Sequence, residues 1–152
     1  MTEADVRKPA LHEAIEDHRK LFEIQNSLAG RFADGSCPAF NTWIVHVREE
    51  ISAMADLLEC HFRREEADRL HDEIAAALPN ATYRLAQLLA QHERILARAR
   101  DLRALAVATV PPGADGPLRA AASEFFAILD DHERAERELF LHAVEGEGGS
   151  PD

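Results

Sequence analysis

Apolar side chains recur along this chain at alternating steps of three and four residues, the spacing that puts them on one face of an α-helix. Four such stripes can be read. The first, Leu11, Ile15, His18, Phe22 and Gln25, lies on a predicted helix over residues 9–29, with Pro9 in its first turn and Gly30 as the stop. Residues 31–40, with Asp34-Gly35 and Cys37-Pro38, read as a loop, after which Asn41 or Thr42 is placed to cap a long second helix beginning with Trp43. That helix carries Val47, Ile51, Met54, Leu58, His61 and Glu65. Leu78-Pro79-Asn80 marks the next break, and Asn80 or Thr82 is placed to cap a third helix to about Ala108, with Leu85, Leu88, His92, Ile95, Ala99 and Leu102 on its inner face. A proline- and glycine-rich loop over residues 110–117 precedes a fourth helix, residues 117–144, whose stripe is Leu118, Ala121, Phe125, Leu129, His132, Glu136 and Leu139.

Four amphipathic helices joined by modest loops predict an all-α, up-down-up-down antiparallel four-helix bundle over residues 1–144, followed by a flexible acidic, Gly-rich tail over residues 145–152. Composition agrees with one globular domain: 152 residues, 46% apolar and 30% charged. Twenty-eight acidic residues against 17 basic give a net charge of −11, which argues against nucleic acid and anionic membranes as partners. There is no signal-like N-terminus and no continuous apolar run long enough to span a bilayer, so a soluble, cytoplasmic protein is expected. Cys37 and Cys60 form neither a disulfide framework nor a C-x-x-C pair.

The candidate chemistry lies in the polar members of the stripes. Each helix carries one inward histidine, and on the second and fourth a glutamate follows four residues later: His18, His61 with Glu65, His92, and His132 with Glu136. Residues four apart share a helix face, so each His-x-x-x-Glu pair offers a nitrogen and a carboxylate to one interior point. A lone histidine on an apolar face reads as a hydrogen-bonded core residue. Six ionisable groups aimed at one interior are better explained by a shared metal. Four imidazoles and two carboxylates, without thiolate, favour iron or a similar first-row ion over calcium or structural zinc. Two octahedral ions would leave positions for an oxo or hydroxo bridge and an exogenous ligand; a manganese pair or a single ion is an alternative.

Depth along the helices tests this reading. His92 lies 17 residues before Thr109 and His132 15 residues after Pro117, so they sit at similar levels. His61 lies 17 residues before Leu78 but His92 only 10 after Thr82, a mismatch of roughly 10 Å between straight helices. The second helix is therefore expected to break or overhang, with His71-Asp72 as the break and residues 73–78 as a short separate turn. Glu66, Glu93 and Glu133 adjoin the candidate ligands but point about 100° away, as solvated charges or outer acceptors. His12, His46, His71 and His142 fall off the stripes or away from the site level. Tyr83, Trp43 and Phe62 read as structural, and Met54 and Leu58 as walls of the site.

Asp17-His18-Arg19-Lys20-Leu21, His61-Phe62-Arg63-Arg64-Glu65-Glu66, His92-Glu93-Arg94 and His132-Glu133-Arg134-Ala135-Glu136 together resemble the hemerythrin-like, or HHE cation-binding, domains, over about His12 to Val144. The resemblance implies a hemerythrin-like bundle and a non-haem centre of two iron ions, with Glu65 and Glu136 bridging and His18, His61, His92 and His132 as terminal ligands. Oxygen carriers of that family have an H-x-x-x-H pair on the third helix and an aspartate five residues after the last-helix histidine. Here Leu88 and Leu96 flank His92, and Arg137 stands at the aspartate position. The remaining pattern is more similar to that of the iron-centre repair proteins, the iron-sensing F-box protein and relatives with catalase-type activity. It implies a small oxidant (dioxygen, hydrogen peroxide or nitric oxide) as the partner, in oxidative or nitrosative stress or iron homeostasis. An iron-sensing or iron-donating module without turnover is the alternative. No catalytic group independent of the metal centre is evident.

Overall fold

A computed structural model of the chain describes residues 9–34 and 39–145. Among these residues there are five α-helices and no strand: α1 (Pro9–Asp34), α2 (Phe40–Glu65), α3 (Asp68–Ala77), α4 (Thr82–Ala108) and α5 (Gly116–Glu145), with a 3₁₀ turn at Pro79–Ala81. None is long and apolar enough to cross a membrane. Cys37, the Gly35 turn and the expected tail beyond Glu145 lie outside the described residues.

The four long helices match the four predicted ones, with corrections at their ends. Gly30 does not stop α1, which continues through it for another turn. A glycine stop relies on a left-handed residue, and Gly113 is the only described residue with positive φ (86°). The added turn is held by tertiary contacts: Trp43 Nε1 donates to the Arg31 carbonyl at 2.9 Å, and the Phe32 ring meets Trp43 edge-on at 5.6 Å. The inner face of α1 is also rotated from the expected stripe. Leu11, Ala14, His18, Leu21, Gln25 and Leu28 are buried, whereas Ile15 is half-buried and Phe22 is 48% exposed. α2 begins at Phe40 without a side-chain cap, so neither Asn41 nor Thr42 serves, and the N-terminus of α4 likewise lacks the expected cap.

The break after α2 comes earlier than His71-Asp72. The helix ends at Glu65, Ala67 is extended (φ −68°, ψ 137°), and α3 restarts at Asp68 as a ten-residue helix. Leu70 and Ile74 of α3 are buried and join Leu11, Ala14, Leu85, Leu88, Leu139, Phe140 and Ala143 in one apolar cluster. Glu73, also on α3, accepts hydrogen bonds from the free backbone N–H groups of Ala10 and Leu11 at the start of α1. Burying Leu70 and Ile74 fixes the break, because a straight α2 would carry them past this cluster.

A second, larger cluster contains Leu21, Leu28, Val47, Ile51, Met54, Leu58, Phe62, Ile95, Ala99, Leu102, Phe125 and Leu129. On α1, the small cluster's residues precede His18 and the large cluster's follow it; on α4 the same order holds around His92. On α5 the order reverses around His132 and Glu136. On α2 the large cluster runs up to Phe62, beside His61, and the small one resumes on α3. The polar residues of the stripes therefore occupy one layer between two apolar layers.

Candidate metal centre

His18 of α1, His61 and Glu65 of α2, His92 of α4, and His132 and Glu136 of α5 are all buried, none more than 8% exposed. The structure brings all six predicted site residues together. They form two groups sharing both carboxylates: His18, His61, Glu65 and Glu136, and Glu65, His92, His132 and Glu136. Within each group the candidate ligand atoms lie within 4.8 Å of one another.

Each glutamate divides its oxygens between the two histidine pairs. Glu65 Oε1 lies 2.5 Å from His61 Nε2 and 3.2 Å from His18 Nε2, while its Oε2 lies 2.9 Å from His92 Nε2. Glu136 Oε2 lies 3.0 Å from His18 Nε2 and 4.0 Å from His61 Nε2. Its Oε1 lies 3.1 Å from His92 Nε2 and also adjoins His132 Nε2. Despite this crowding, the buried Nε2 atoms of His61 and His132 make no hydrogen bond. His18 Nε2 and His92 Nε2 do meet the glutamates in hydrogen-bond geometry, but His61 Nε2 and His132 Nε2 crowd carboxylate oxygens without that alignment, as donors around a common cation do. The residues therefore fit a metal.

The outer nitrogens support the same orientation. His61 Nδ1 faces Asp17 Oδ2 at 3.4 Å, His92 Nδ1 faces Glu66 Oε1 at 3.3 Å, and His132 Nδ1 faces Gln91 Oε1 at 2.6 Å. An oxygen acceptor there places the ring proton on Nδ1 and leaves the Nε2 lone pair pointing inward, the tautomer a metal requires. Asp17 is itself held by Arg64 Nη1 at 2.8 Å to both carboxylate oxygens. The Phe62 ring stacks on His92 at 3.9 Å between centroids and 3° between planes, and meets His132 edge-on. His18 has no outer acceptor among the described residues and is the most exposed of the six.

Charge is balanced internally. Burial disfavours the imidazolium of His18, but Glu136 and Glu65 outweigh it and raise the pKa from 6.5 to about 10. The same opposition raises His92 to about 9. Burial works against the Glu136 carboxylate too, yet Glu65 and the surrounding imidazoles hold its pKa well below the ordinary value. Protons thus occupy part of the charge-neutralising role that a cation would take.

Two contributors were not singled out from the sequence: Asp17 and Gln91. Each immediately precedes a candidate ligand but contacts a histidine of a different helix, so its role depends on which neighbouring helix lies beside it. Glu133 was expected to be solvated or an outer acceptor; it is 6% exposed, its Oε1 has no partner, and burial raises its pKa to about 7. Glu66 is an outer acceptor as expected, and Glu93 is exposed. His12, His46, His142 and Tyr83 are exposed and His71 is half-buried, all apart from the cluster. Met54 and Leu58 are buried in the larger apolar cluster with Phe62 and Trp43.

A family model described as the hemerythrin HHE cation binding domain matches residues 10–144. No curated protein and no solved structure matches the chain.

Proposed function

Because the chain belongs to the hemerythrin HHE cation-binding domain family, we propose that it holds two iron ions at this centre and uses them to bind or turn over a small oxidant: hydrogen peroxide, dioxygen or nitric oxide. In this reading residues 1–144 form one up-down-up-down four-helix bundle. His18 and His61 would hold one ion and His92 and His132 the other, with Glu65 and Glu136, common to both groups, contributing to each. The observation that carries the reading is the division of each glutamate's two oxygens between the two histidine pairs. Within a single-ion site no such division would be needed.

When bound, the iron pair would supply redox equivalents and Lewis acidity. The protein's own contribution is geometric and electrostatic. Asp17, Glu66 and Gln91 set the histidine tautomers and ring planes. The apolar layers above and below, with Phe62 against His92, close the polar layer off along the bundle axis.

The test is metal analysis of protein purified after growth in iron, together with its visible spectrum. About two irons per chain, with a charge-transfer absorption, is the expected result. Absence of iron, under conditions that load a control di-iron protein, would overturn the proposal. Peroxide disproportionation and nitric oxide consumption by the loaded protein then identify the oxidant.

A further inference from the structure

A cavity of about 250 Å³ opens between α1 and α5, lined by Ile15, His18, Arg19, Phe22, Arg137 and Phe140. Three of its walls are aliphatic or aromatic. The buried His18 imidazole forms part of the lining, with the Phe140 ring 5.4 Å from it. Two guanidinium groups complete it. Arg19 is engaged by Glu16 at 2.5 Å and Glu23 at 3.4 Å, whereas Arg137 has no ion-pair partner among the described residues. Glu133, one helical turn before Arg137, does not pair with it; its carboxylate is buried with Oε1 unpartnered.

These features have a common explanation. Phe22 is a large apolar side chain left 48% exposed at the cavity, in a protein whose net charge of −11 supplies acids in excess. An apolar hollow beside an unpaired arginine matches a molecule with an apolar body and one negative end. The volume sets its size. An engineered apolar cavity of roughly 150 Å³ takes up benzene, so this one has room for more than a diatomic oxidant and for a chain of about six to eight carbons. We propose that the cavity between α1 and α5 binds a small organic monoanion, a medium-chain carboxylate or its chemical equivalent, with its carboxylate on Arg137 and its apolar body against Ile15, Phe22 and Phe140. The bound molecule then lies along His18, on the edge of the candidate metal centre, and covers that approach to it.

The site consists of side chains alone, so binding is expected with or without metal. The experiment is isothermal titration of the metal-free and the iron-loaded protein with butanoate, hexanoate and octanoate, and with hexylamine as the charge-reversed probe. One molecule per chain is expected, with affinity rising about fourfold per added methylene and no saturable binding of the amine. Arg137→Gln is expected to weaken octanoate at least tenfold. Phe22→Asp, which changes a side chain already half in solvent, does the same by placing a like charge at the cavity. Neither is expected to alter metal content, and circular dichroism checks that both variants fold. No saturable binding, affinity independent of chain length, equal affinity for Arg137→Gln, or binding of the amine as tight as the acid would each overturn the proposal. Binding confined to the iron-loaded form would overturn it as well, since the carboxylate would then be held by metal. A chain that binds alkanoate but takes up no iron keeps this inference and loses the di-iron reading.

Discussion

His18 Nε2 lies 3.0 Å from Glu136 Oε2, a buried contact between side chains 118 residues apart that ties the first long helix to the last. The same carboxylate turns its other oxygen toward His92 and His132. Glu136→Gln keeps the shape of the side chain and removes the charge that all four imidazoles share. Iron content measured by elemental analysis is expected to fall to about one ion per chain or less, with Glu65→Gln behaving alike. Retention of the wild-type iron content by both variants would remove the bridging assignment.

The outer acceptors differ in kind: two are carboxylates and one is an amide. Asp17→Asn and Gln91→Ala leave the candidate ligands in place but loosen His61 and His132. Each is expected to weaken metal binding about 10- to 100-fold in a chelator competition, with Arg64→Gln weakening it less, because it acts through Asp17.

Proton and metal compete for one set of atoms, and this gives the metal-free protein a defined pH dependence. His18 and His92 have folded-state pKa values raised to about 10 and about 9, so their contribution to stability is complete below 6.5 and is lost as pH rises through those values. Glu133, raised to about 7, binds its proton more tightly when folded, so stability also falls between 4.5 and about 7. Glu136 is shifted downward, and its contribution is present above 4.5 and lost as pH falls below. Melting temperatures of the metal-free protein are therefore expected to peak near pH 5 and decline toward pH 10. Metal affinity is expected to rise with pH over the same upper range, with protons released on loading.

Glu73 joins α3 to the start of α1 by accepting from Leu11 N at 2.9 Å and Ala10 N at 3.5 Å. Glu73→Ala leaves those N–H groups without this cap. A loss of about 1 kcal/mol is expected, seen as a drop of about 3 °C in the melting temperature, with metal stoichiometry unchanged.

Helices, their inward faces on α2, α4 and α5, and the six candidate site residues were legible in the sequence. Helical periodicity is local, and an ionisable residue within an apolar stripe is conspicuous because burying it singly is unfavourable. The need for a break in α2 was legible too, since His61 and His92 are otherwise out of level. Where it breaks is a tertiary outcome: the chain turns at Ala67 because Leu70 and Ile74 are thereby buried against Leu11, Leu85 and Leu139. The length of α1 was set the same way, by Trp43 and Phe32 rather than by Gly30.

The sequence by itself determined an all-helical chain with histidines and glutamates recurring at one helical face, because those patterns depend only on neighbours within a turn or two. Tertiary structure decided which oxygen of each glutamate faces which imidazole, that Asp17, Glu66 and Gln91 fix the outer nitrogens, and that Phe22 and Arg137 border a cavity instead of Phe22 filling the core. Those relationships depend on helix rotation and depth, which arise when separate helices pack, and a rotation of α1 by a fraction of a turn exchanges Leu21 for Phe22 on the inner face.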